Sequence, residues 1–189
     1  RIHQIGFDAA LLTGGWDLRT EWAGTITSDR DGTDPAVKNP SITGVVQVSR
    51  SFLNGMITAS TAWAPRIILN HTAPADYEDT DDEMLAERIR QYDGQAYPFE
   101  NAFTIRLAGK FMNETIEPEI MFLGETAARD WLTTAAVSWN MADAWNLKVG
   151  SSFYGSFLEE DDSDRELGTF SSADVIDDDN IYIELKYSF

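Results

Sequence analysis

Ile181-Tyr182-Ile183-Glu184-Leu185-Lys186-Tyr187-Ser188-Phe189, the last nine residues of the chain, alternate without a break. In an extended chain Ile181, Ile183, Leu185, Tyr187 and Phe189 fall on one face. Tyr182, Glu184, Lys186 and Ser188 fall on the other. A period of two with charge confined to one side describes a strand between oil and water. A soluble antiparallel sheet carries the same alternation, so this strand alone leaves both environments open.

The dyad pattern recurs upstream, each time over about the nine to eleven residues that a tilted membrane strand needs. Ile5, Phe7, Ala9 and Leu11 alternate with Gln4, Gly6, Asp8 and Ala10. Trp16, Leu18, Thr20, Trp22 and Ile26 alternate with Asp17, Arg19, Glu21 and Ala23, and Gly14-Gly15 between the two runs signals a hairpin turn. Further hairpins are expected for 42–52 with 56–63 around Leu53-Asn54-Gly55, for 103–112 with 115–123 around Asn113-Glu114, and for 131–141 with 145–155 around Ala142-Asp143. With the terminal strand this predicts about nine antiparallel strands.

Connection lengths point the same way, because outer-membrane barrels keep short turns on the periplasmic side and long loops outside. Counted back from Phe189, the connections are long (156–179), short, medium (124–130), short, long (65–100), short, medium (28–41) and short. A β-sandwich has no reason to sort its loops in this way. Aromatic residues agree: Phe52, Phe111, Trp139 and Phe189 precede periplasmic ends, Trp16 and Trp145 follow periplasmic turns, and Trp63 and Trp131 belong to the opposite interface. Arg50 fits badly, sharing a face with Val46, Val48 and Phe52. Either it snorkels to headgroups or a bulge turns it inward.

The chain holds 32 acidic against 14 basic side chains, a formal charge of −18, and no cysteine. That acidity argues against a nucleic-acid partner. Disulfide and thiolate chemistry are excluded, and no apolar run is long enough for a membrane helix. By loop parity the first strand starts on the cell exterior. About nine is also an odd number, whereas bacterial single-chain barrels have an even one. Residues 1–189 are therefore expected to be the C-terminal portion of one larger barrel domain, preceded by at least one more strand.

The alternation ending in Tyr187 and Phe189 resembles the signal by which the barrel assembly machinery recognises its clients. More widely, Arg1-Ile2-His3-Gln4-Ile5-Gly6, the segment 45–55, Ile116-Glu117-Pro118-Glu119, Arg129-Asp130-Trp131-Leu132, the segment 146–155, Leu167-Gly168-Thr169-Phe170 and 181–189 resemble the C-terminal half of a family of large Gram-negative outer-membrane barrels catalogued as a domain of unknown function. The likeness fails in the acidic loops 72–100 and 159–164. It implies an outer-membrane location, lipid, lipopolysaccharide and exporter components as partners, and export of lipid-like or other hydrophobic molecules. It carries no catalytic motif.

Candidate lumen residues are Asp17, Arg19 and Glu21 (with Asp8) from the first hairpin, Arg106, Lys110, Glu117 and Glu119 from the third, and Lys148, Glu184 and Lys186 near the end. A turn at Asn113-Glu114 places Lys110 opposite Glu117. Opposed acidic and basic strips would set up a transverse field across a channel, while the plainer alternative is that these charges hydrate and brace the inner wall. The acidic clusters 76–83 and 159–166 are expected to be solvated charge rather than calcium sites, since neither has the spacing of an EF-hand loop. Residues 81–91 have the composition of a short helix that could fold over a pore mouth.

Only His3 and His71 are available as imidazoles. Asp76 and Glu78 follow His71 without a nucleophile motif, so no enzyme, metal or cofactor is expected. The expected function is a channel or conduit moving small or hydrophobic molecules across the outer membrane. The alternatives are a structural or adhesion barrel acting through its outer loops and a soluble all-β binding domain.

Overall fold

The computed structural model describes residues 2–93, 95, 97–126, 129–142, 144–157 and 179–187. Phe189, Asp143, the stretch 167–170 and the acidic cluster 159–166 lie outside the described residues. Nine strands form one antiparallel sheet in sequence order: β1 (His3–Thr13), β2 (Trp16–Ile26), β3 (Ser41–Phe52), β4 (Ile57–Ile68), β5 (Phe99–Gly109), β6 (Ile116–Glu125), β7 (Asp130–Ala142), β8 (Trp145–Ser156) and β9 (Asn180–Tyr187). Helix α1 (Thr80–Asp93) lies in the connection between β4 and β5. The sheet is open, with β1 and β9 as its edges. Both edges run in the same direction, so pairing them directly would make a parallel ladder.

Register keeps the two faces separate across all nine strands. Phe7, Trp22 and Gly44 share one face, as do Val46, Trp63, Phe103, Gly124, Trp131 and Gly155. Among the described strand residues, Arg50 is the one Asp, Glu, Lys or Arg on this apolar face. Every other charged strand residue projects from the opposite face. Among the described residues Ile68 and Ala86 are the buried hydrophobic ones, and large apolar side chains such as Phe7, Ile105, Val137 and Ile183 are exposed. Neither face is covered by a second sheet, so the described residues lack the apolar interior of a β-sandwich.

The register also has a steady slip. Thr13 and Trp16 close the first turn, and the row through them runs Arg50, Ala59, Leu107, Ile120, Ala135, Ser151, Ile181. Arg50 lies two residues short of the closing pair Phe52–Ile57, Leu107 four short of Phe111, and Ser151 six from Trp145. A slip of two residues per hairpin, about 6.8 Å along the strand against about 9.6 Å across two strands, corresponds to a strand tilt of about 35°. At that tilt an eleven-residue strand such as β5 rises about 30 Å, close to a membrane's hydrocarbon thickness.

The short turns form by the expected chemistry. Gly14 and Gly15 adopt φ of 57° and 81°, the left-handed values that a two-residue hairpin needs. Leu53-Asn54-Gly55-Met56 and Met112-Asn113-Glu114-Thr115 repeat one design, three residues at positive φ closed by a bond from the fourth N–H to the first carbonyl, 3.2 Å in each.

Several boundaries differ from expectation. The connection expected at 124–130 shrinks to 126–129, because Glu125 and Asp130 pair with each other as strand residues, so connection lengths do not alternate at this loop. β4 continues past Trp63 through Pro65 to Ile68, and β5 begins at Phe99. A bulge between Asn140 and Ala142 puts Ala142, expected in the turn, opposite Trp145 as a strand residue.

Candidate functional site

The polar face collects every charged residue singled out as a lumen candidate. Asp17, Arg19 and Glu21 lie on β2, Arg106 on β5, Glu117 and Glu119 on β6, Lys148 on β8, and Glu184 and Lys186 on β9. Lys110 stands one residue beyond β5. Alternation places them on one face. What register decides is which charges meet.

They meet in local pairs of opposite sign. Arg19 donates from Nε to Asp17 Oδ1 at 3.1 Å and from Nη2 to Oδ2 at 2.9 Å, two residues away on its own strand. Arg106 donates to Glu119 on β6, one step diagonal to its direct partner Met121. Glu117, Ser138, Lys148 and Glu184 form one row, in which Lys148 stands directly opposite Glu184. Lys148 Nζ also lies 5.8 Å from the Tyr182 ring centre. Among these candidates Glu21 and Asp8 are the exception, two acids in register. Signs are thus interleaved among these residues rather than sorted into strips.

Lys110 stands opposite Glu117 as expected, in register between the pairs Ala108–Glu119 and Phe111–Ile116, but its Nζ donates to Glu114 Oε1 at 3.0 Å. β5 ends at Gly109, so Lys110 belongs to the turn, where the left-handed Glu114 folds back toward it. That hydrogen bond and the charge of Glu114, with a smaller contribution from Glu117, hold the Lys110 ammonium above its ordinary pKa.

Toward the long-loop end, the polar face closes over its charges. Arg66 Nη1 donates to Glu100 at 3.4 Å across β4 and β5. Glu125 and Asp130 face one another on β6 and β7, and Glu100, Glu125 and Asp130 are only 6–7% exposed.

Beyond them, two connections interlock. Asn39, 1% exposed, is held at both backbone groups by Gln95: its N–H donates to Gln95 Oε1 at 2.9 Å and its carbonyl accepts from Gln95 Nε2 at 3.0 Å. Asn39 Nδ2 donates to the Asn70 carbonyl at 3.0 Å, and Asn70 Nδ2 to the Arg30 carbonyl at 2.7 Å. The Gly32 carbonyl accepts from Thr72 Oγ1 at 2.8 Å and from Tyr77 Oη at 3.3 Å. This polar clasp joins 27–40 to 69–98. Sequence reading missed it, since isolated amides in loops carry no periodicity.

Helix α1 forms where expected, with Asp81, Asp82 and Glu83 in its first turn, where the helix dipole favours acids. Among the described elements it packs against the 3-10 turn Pro74–Asp76 and against no strand. His71 Nε2 lies 3.2 Å from the Gln95 carbonyl oxygen, inside the clasp. Asp76 accepts from Ala73 N–H. Among the described residues no group of three His, Cys, Asp or Glu could hold a metal ion.

No family model, curated protein or solved structure matches the chain.

Proposed function

We propose that this sheet is part of the wall of a β-barrel in a bacterial outer membrane, its apolar face in lipid and its polar face lining a conduit for small or hydrophobic molecules within an envelope transport system. The observation that carries this reading is the separation of charge: across nine strands Arg50 alone breaks the apolar face. A charge near the midplane of a lipid-facing strand costs about 2–4 kcal/mol, which is the pressure that would produce such a separation.

Two further distances support it. The apolar face carries aromatic residues at two levels: Phe111, two residues past the end of β5, and Phe103, Trp139 and Trp131, Trp145 and Phe153 stand eight residues apart along the chain. Eight residues are about 27 Å along the strand and about 22 Å along the normal at the 35° tilt, close to the apolar band of about 25 Å between girdles. A soluble protein exposing a face of this extent would aggregate or bind a partner across it.

A second reading, action through the outer loops, draws on the clasp between Asn39 and Gln95, because a locked loop surface is preorganised for contact. Heat-modifiable migration on a denaturing gel tests the barrel, and single-channel recording in planar bilayers tests the conduit. Migration unaffected by boiling, with extraction from cells in the absence of detergent, would contradict the membrane reading. A barrel without conductance would leave the loop reading in its place.

A further inference from the structure

Arg50 sits on the apolar face, where no carboxylate of the described residues meets it. The row is continuous through Trp16, Arg50 and Ala59, so no bulge turns the side chain toward the polar face. Its guanidinium lies 5.0 Å from the Trp16 ring centre and 5.4 Å from that of Phe52. Ala59, its neighbour on β4, is small and leaves that side open. Among the described residues Arg50 makes no ion pair, and every acidic strand residue projects from the opposite face.

Its height is as specific as its company. Arg50 lies two residues from the closing pair Phe52–Ile57, about 6 Å above the turn at the 35° tilt. Trp16, Phe52, Trp139, Trp145 and Tyr187 mark the same level, and Trp145 and Tyr187 are in ring contact at 4.8 Å. A guanidinium flanked by two rings is held with its fork free, and such a fork matches the oxygens of a phosphate.

We infer that Arg50, with Trp16 and Phe52, forms a binding site for the phosphodiester headgroup of a phospholipid in the periplasmic leaflet. The site rests on the barrel reading above. It would fix the height of the wall in the membrane at the one place where the apolar face carries charge. The occupant is a lipid rather than free phosphate because the surrounding face, Val48, Leu18, Ile57 and Ala59, accommodates acyl chains.

Native mass spectrometry of the protein purified from membranes in detergent tests this, after equilibration with phosphatidylglycerol, with a diacylglycerol of the same chains, or with inorganic phosphate. The wild type is expected to retain phosphatidylglycerol, and Arg50→Gln to retain it about tenfold more weakly, the loss of one charge-assisted contact. Arg50→Lys and Trp16→Leu should fall between. Diacylglycerol should not distinguish wild type from Arg50→Gln, and millimolar phosphate should not displace the lipid. Equal retention by wild type and Arg50→Gln, or displacement by phosphate, overturns the assignment. Should Arg50→Gln fail to fold, Trp16→Leu decides, and undiminished retention then overturns it. A protein that needs no detergent contradicts the barrel reading instead, before any lipid is added.

Discussion

The indole of Trp131 covers Gly155, its direct cross-strand partner, so closely that a methyl group at Gly155 would stand 2.3 Å from a ring carbon. Trp22 covers Gly44 and Phe103 covers Gly124 in the same way on the apolar face, and Tyr182 covers Gly150 on the polar face. Each pair puts a large ring in the space of a missing side chain, which pins register at four places across the sheet. Gly155→Ala should therefore destabilise the folded protein by about 1–3 kcal/mol, the cost of overpacking. Combining it with Trp131→Leu should recover part of that loss. Urea unfolding of the single and double variants in lipid vesicles checks this, and purely additive losses would mean that the ring and the glycine are not coupled.

The clasp yields to a single methyl group. Gly32 has φ of +71°, and a Cβ there would meet the Asn70 carbonyl oxygen at 1.9 Å. Gly32→Ala should part 27–40 from 69–98 and speed protease cleavage within 69–98 about tenfold or more, since cleavage follows the open population and each 1.4 kcal/mol is tenfold. Heat-modifiable migration should stay unchanged. Unaltered cleavage would show that the two connections are held by other contacts.

Polar-face charges should matter for ions more than for stability. Arg106 and Glu119 are both well exposed, and exposed ion pairs contribute about 0–1 kcal/mol. Arg106→Gln leaves the Glu119 carboxylate unmatched and should shift reversal potentials toward cation preference, with a stability change below about 1 kcal/mol. Glu119→Gln should shift them the other way. Reversal potentials that ignore both substitutions would remove Arg106 and Glu119 from the conducting path.

Strand existence was legible because a sheet with one apolar and one polar face imposes a period of two that survives in Ile181–Tyr187 as plainly as in Trp16–Ile26. Strand ends were less so. Reading stops at Trp63 because Pro65 lacks an N–H, yet the β4 ladder runs through Pro65 opposite Asn101. Glu125 and Asp130 read as loop because they are charged, although the polar face accepts charge at any position. The Arg19–Asp17 and Arg106–Glu119 pairs needed register and rotamer, which alternation does not give. The bond between Asn39 and Gln95 spans 56 positions between unlike loops, a separation at which no local pattern points from one residue to the other.

Because the chain contains no cysteine, single cysteines can be placed along β8 without background, and accessibility there tests the two-faced wall most directly. In the membrane-embedded protein, cysteines at Lys148, Gly150 and Ser152 should react with a membrane-impermeant thiol reagent. Those at Val149, Ser151 and Phe153 should resist it, and a fluorophore attached there should be quenched by nitroxide-labelled lipid. Reactivity that fails to alternate along these six positions, or lipid quenching from the Lys148 side, would contradict the account.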